Sequence, residues 1–152
     1  MSAAVTFTLL PIDRLEAACA AAEAGTLALF LKREGKTAAQ FAGDGGIYGA
    51  VFAYLDEERG INVSSSEHDE LTARLSEATN GSCYLLTADH RAAHYDALDP
   101  ARIPKDELQE YYEEYNESDE PGAGGKMWSA IRALRESLSR VDATRVTLLA
   151  IG

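Results

Sequence analysis

The sequence has little cysteine, few basic residues and no long apolar run, and each shortage excludes something. Its two cysteines, Cys19 and Cys83, stand far apart and in none of the spacings that hold a metal or a redox pair. They read as reduced, buried thiols of a cytoplasmic protein, not as a disulfide framework. No apolar stretch approaches the roughly 20 residues that cross a bilayer. Met1 to Leu10 lacks a basic start, and its apolar stretch stops at Pro11, so it does not read as a secretory signal. Lys and Arg number 14 against 25 Asp and Glu, a formal charge of −11. That charge repels polyphosphates and anionic membrane surfaces, so nucleic acid and membrane are set aside as partners and a basic protein is favoured. No repeat at solenoid periods and no linker interrupts the 152 residues, which points to one domain.

What is present is a mixture of strand and helix patterns. Val5, Phe7 and Leu9 alternate with Thr6 and Thr8, the period-2 signature of a strand over 4–10. Ile12, Leu15, Cys19 and Ala22 follow at helical spacing and stop at Gly25. The run 26–32 fits strand or helix equally by periodicity. Residues 47–55, rich in β-branched and aromatic side chains, read as a strand, and Glu57 to Gly60 as a turn into a short strand at 61–63. Ser66 and Asp69 have the spacing of a capping box before a helix carrying Leu71, Leu75 and Ala78. Residues 83–86 form an interior strand, after which Thr87 caps a helix toward Leu98. Pro104 opens another helix, with Leu108, Tyr111, Tyr112 and Tyr115 on one face. The glycines and proline of 116–125 mark a flexible loop. Met127, Ile131, Leu134, Leu138 and Val141 step by four, three, four and three, the clearest helix in the chain, and 145–151 closes it as a strand. This is an α+β pattern, a small mixed or antiparallel sheet covered by about five helices.

The strand running into a helix over 5–22, the segment Tyr84-Leu85-Leu86-Thr87 leading into 90–98, and the last helix leading into 146–152 resemble YfbM-like proteins, a bacterial family of unknown function. The likeness covers 83–152 best, and Gly45 to Leu55 stands where that family carries a segment rich in Trp, His and Leu. It implies an α+β domain and carries over no catalytic residue.

Three patterns invite chemistry. His90 and His94, four apart, project from one helical face and can reach one metal ion, although Arg91 stands where a zincin needs Glu. Gly122, Gly124, Gly125 and Lys126 suggest a phosphate loop, but Glu120 replaces its first glycine and Met127 its Ser or Thr, which leaves a helix entry. No nucleophile elbow and no cofactor motif occurs, which weighs against an enzyme and leaves the question open. The third pattern is the acidic stretch 106–120, the tyrosine-bearing helix and the start of the loop after it, with eight acidic residues, no basic one, and three tyrosines. Tyrosine supplies broad contact area with a polar tip, and carboxylates around it steer a basic partner. Tyr111, Tyr112, Glu113, Glu114, Tyr115 and Glu117 are therefore the candidate binding residues of a small acidic module, monomeric or homodimeric, that occludes a basic protein as an immunity protein or antitoxin does. The alternative is a metal-binding protein or metal-dependent hydrolase using His90 and His94.

Overall fold

The structure, a computed structural model, describes residues 3–152. Met1 and Ser2, where the reading of the N-terminal ten residues begins, lie outside them. Four strands form one antiparallel sheet in the order β2-β1-β4-β3. They are β1 (Val5–Pro11), β2 (Lys36–Ala39), β3 (Ser82–Leu86) and β4 (Arg145–Ile151). Among the described residues seven α-helices accompany them: α1 (Leu15–Glu23), α2 (Leu27–Glu34), α3 (Ile47–Arg59), α4 (Asp69–Thr79), α5 (Ala88–His94), α6 (Lys105–Asn116) and α7 (Ala123–Leu138). The α+β architecture expected from the sequence is what the chain adopts. No helix among the described residues is long and apolar enough to cross a membrane.

The sheet buries both faces, and the alternation of β1, β3 and β4 sorts their side chains between two cores. Phe7, Leu9, Leu86 and Leu149 enter one core with residues of α3, α6 and α7. Leu10, Cys83, Leu85, Val146 and Leu148 enter the other with α1, α2 and α4. Cross-strand pairs hold the register, Phe7 opposite Leu149 and Tyr84 opposite the same Leu149 from the far side. Tyr48 of α3 donates its hydroxyl proton to the Ala130 carbonyl of α7 at 3.1 Å, which ties the helices of the first core together.

Two expected strands are corrected. Residues 47–55 belong to helix α3, whose buried Ile47, Ala50, Val51, Tyr54 and Leu55 repeat at helical spacing. That periodicity outweighs the strand propensity of its β-branched and aromatic residues, since burial of a continuous stripe decides the matter. The supposed turn at 57–60 is the end of that helix, stopped by Gly60 in the left-handed region at φ 64°. Residues 61–63 belong to no strand; Ile61 and Val63 are buried in the first core from an unpaired segment. The run 26–32 resolves as helix from Leu27 onward, within α2, with Thr26 as its N-cap residue. Strand β2 was not read from the sequence. It has four residues, and its register slips so that Ala38 is an extra residue between Thr37 opposite Thr8 and Ala39 opposite Phe7. The slip turns both Ala38 and Ala39 inward, which erases the alternation a strand normally shows.

Candidate protein-binding face

Helix α6 lies with Leu108 fully buried against the first core. Its spacing then sends Tyr111 and Tyr115 down one flank and Gln109 and Glu113 down the other. On the Gln109 flank the helix meets the start of α7. The Gln109 amide accepts from the Gly124 N–H at 2.7 Å and donates to the Glu120 carbonyl at 2.9 Å, so the segment read as a flexible loop is bracketed by one side chain. Glu113 accepts from the same amide nitrogen at 3.1 Å.

On the other flank α6 packs beside α3, and an aromatic and acidic surface forms across the two helices. Tyr111 and Tyr115 stack with ring centroids 5.8 Å apart and planes 18° from parallel. Tyr54 of α3 meets the edge of Tyr111 at 5.3 Å. Tyr111 donates to Glu57 Oε2 at 2.9 Å. Its phenol is held un-ionised well above the usual tyrosine range, first by desolvation and then by the Glu57 carboxylate. Tyr54 donates to Glu107 Oε2, and Arg59 donates to both the Tyr54 oxygen and that carboxylate. Burial pushes the Tyr54 phenol up to about 12. The hydrogen bonds from Tyr54 and Arg59 hold the Glu107 carboxyl below its usual range.

The candidate residues therefore separate. Tyr111, Glu114 and Tyr115 share the α3 side with Glu57, and Tyr115 is left 49% exposed at the end of the stack. Tyr112 is half-buried against the first core, Glu113 is on the α7 flank, and Glu117 ends α6 in a left-handed conformation at φ 49°. Asp56, Glu57 and Glu58 of α3, all exposed, were missed by sequence reasoning. They carry the same signal as α6, acids flanking a tyrosine at helical spacing, which reading 47–55 as a strand concealed. Arg59 is the one cation of the α3 end, and Glu107 already holds it at 2.6 Å.

The two histidines are placed differently. His90 is buried, and Thr87 and His90 form a reciprocal cap on α5. The Thr87 N–H donates to His90 Nδ1 at 3.1 Å, and the His90 backbone N–H donates to Thr87 Oγ1 at 3.4 Å. With Nδ1 accepting, the ring proton is on Nε2, which donates to the Ser65 carbonyl at 2.7 Å. Both ring nitrogens are thus engaged. His94 is half-buried, and burial, then His90, pulls its pKa down. Among the described residues no group of three or more His, Cys, Asp or Glu side chains gathers where a metal ion could sit. Cys19 and Cys83 are both free and buried in the second core, and burial is the leading cause that raises both thiol pKa values. Such thiols are poor nucleophiles.

Comparison with protein-family models, with curated proteins and with solved structures finds no match to this chain.

Proposed function

We propose that this protein is a protein-binding module that takes a basic partner on the acidic, tyrosine-bearing face of α3 and α6. The observation that carries the reading is Tyr115, half exposed and stacked on Tyr111, whose hydroxyl is bonded to the exposed Glu57 of α3, with exposed Glu114 beside it on α6. A stacked pair of rings is rigid, so little side-chain entropy is lost when a partner covers it. The carboxylates around it supply attraction at a distance, reinforced by the charge of −11 on the whole chain. This is the layout of an interface with an aromatic centre and a charged rim. A cytoplasmic protein that occludes a basic surface, in the manner of an immunity protein or antitoxin, is the concrete form proposed. The resemblance to YfbM-like proteins adds an expectation about fold and none about this face.

The test is affinity capture from the host lysate by tagged protein at low and high salt, read by mass spectrometry, beside a Glu114→Lys, Tyr115→Ala variant. The reading expects one basic protein recovered near stoichiometrically at low salt, reduced at high salt and lost with the variant. Equal recovery by the variant would overturn it, provided the variant melts as the parent does.

A further inference from the structure

The chain's scarce cations are not spread evenly. Six of the fourteen Lys and Arg residues, Lys36, Arg91, Lys126, Arg132, Arg140 and Arg145, line two adjoining hollows along β2 and α7, where the only acidic residues are Glu136 and Asp142. The larger hollow, about 830 Å³, has one wall made by 37–43 and the other by the exposed side of α7. Thr37 and Arg140 belong to both hollows, so the two form one trough. Carboxylates neutralise it only in part. Asp142 is held by Arg145 at 2.8 Å, Glu136 is 3.9 Å from Arg140 and Glu120 holds Lys126 at 3.1 Å, whereas Lys36, Arg91 and Arg132 have no carboxylate partner among the described residues.

The wall of this trough is also the open edge of the sheet. β2 pairs with β1 on one side only. A third hollow of about 390 Å³ is lined by 5–8, Thr37 and 39–42, and through Thr6 and Thr8, which alternate with Phe7 and Leu9, it reaches the face of the sheet away from α7. A strand laid against β2 would therefore find free backbone partners along one line and room for its alternating side chains on both sides. Sheet edges of this kind are normally guarded against indiscriminate pairing by lysine and by bulges. Lys36 and the extra residue at Ala38 are such guards. The same positive charge that discourages a neutral or basic strand selects an acidic one.

We infer that the trough between β2 and α7 binds an extended acidic segment of a protein partner, added as a fifth strand on the β2 edge with its carboxylates against Arg132, Lys36 and the loosely paired Arg140. Charge complementarity fixes the chemistry of the occupant, because the trough is cationic in a chain that is otherwise strongly acidic. A peptide is favoured over a nucleic acid because the open strand edge offers main-chain pairing that only another polypeptide can complete, and because the molecule's overall charge opposes a polyanion. This surface is built from β2 and α7, whereas the acidic face is built from α3 and α6, so either can fail without the other.

The probe is a fluorescent peptide of alternating Glu and Val, about eight residues long to match the wall 36–43. It is titrated by anisotropy against the full chain, with amide hydrogen exchange followed over the same wall. Three comparisons accompany it: the peptide N-methylated at alternate residues, the Lys-Val counterpart, and a single-stranded oligonucleotide of equal charge. The inference expects salt-sensitive binding of the Glu-Val peptide, slowed exchange at 36–43, and about tenfold weakening by N-methylation. Arg132→Glu with Arg140→Glu, both at exposed positions, should weaken binding by at least about tenfold while leaving the thermal midpoint in place. Equal binding of the N-methylated peptide would overturn strand addition. Tighter binding of the oligonucleotide would assign the trough to nucleic acid and overturn the inference. So would binding no stronger than that of the Lys-Val peptide, or β2 protection produced by a second copy of the chain alone.

Discussion

Tyr54 of α3 donates its hydroxyl proton to Glu107 of α6 at 2.5 Å, across 53 positions of sequence. The tyrosine is fully buried, and the carboxylate is also held by Arg59. This bond fastens the two helices that together make the acidic face. Tyr54→Phe should cost about 1 kcal/mol, the usual net worth of such a hydrogen bond. Glu107→Gln should cost less, about 0.5 kcal/mol, because its side chain is half exposed and solvent screens the Arg59 pair. The two changes share one contact, so the double variant should fall short of their sum, as urea unfolding in a double-mutant cycle would register.

The phenols of Tyr48, Tyr54 and Tyr111 are all shifted upward, each chiefly by burial. A raised tyrosine pKa contributes stability that is whole below the unfolded value of 10 and is lost as pH climbs through the folded value, about 12 for Tyr54. Alkaline unfolding should therefore set in between those limits. A spectrophotometric titration should show these three of the seven tyrosines ionising late and together with loss of structure.

Two neighbouring glycines should respond in opposite directions. A Cβ at Gly124 would lie 2.5 Å from the Lys105 carbonyl and 2.9 Å from the Gln109 nitrogen, both backbone atoms of α6. Gly124→Ala must push the helices apart and should cost about 1–3 kcal/mol. At Gly125 a Cβ meets nothing within 4 Å. Gly125→Ala should stabilise α7 by about 0.5 kcal/mol through lower unfolded-chain entropy. Thermal melts of the two single variants compare these directly.

The Thr87 and His90 cap gives a further contrast. Thr87→Ala should cost about 1 kcal/mol and Thr87→Ser much less, since serine keeps the accepting oxygen. Because both His90 nitrogens already have partners, added zinc should leave the melting temperature where it is. A rise on adding zinc would return metal binding to consideration, since a ligand that binds only the folded chain must raise it.

Elements whose burial pattern has a single period were legible in the sequence. β1 alternates from Thr6 to Leu9 and α7 shows its four-and-three stepping, while β4, with four consecutive buried residues, was legible as a short apolar run after the last helix. Helix α3 was not, because its stripe is built largely from Ile47, Val51 and Tyr54, side chains that favour strands when counted by type. Strand β2 left no pattern because its extra residue turns two consecutive alanines inward. The site divides along the same line. Its α6 half stood out as eight acids and three tyrosines in one run, whereas the α3 half was hidden behind the strand assignment. The cationic trough collects residues from Lys36 to Arg145, and only tertiary packing brings them together.

The most direct test of the acidic face is photocrosslinking in the host cell. A photoreactive phenylalanine analogue is installed in place of Tyr115 and, as a control, in place of Leu29, which is 69% exposed on α2. The account predicts one discrete adduct with a basic protein from position 115, abolished by Glu57→Lys with Glu114→Lys, and none from position 29. No adduct at 115, or the same set of adducts at both positions, would contradict it.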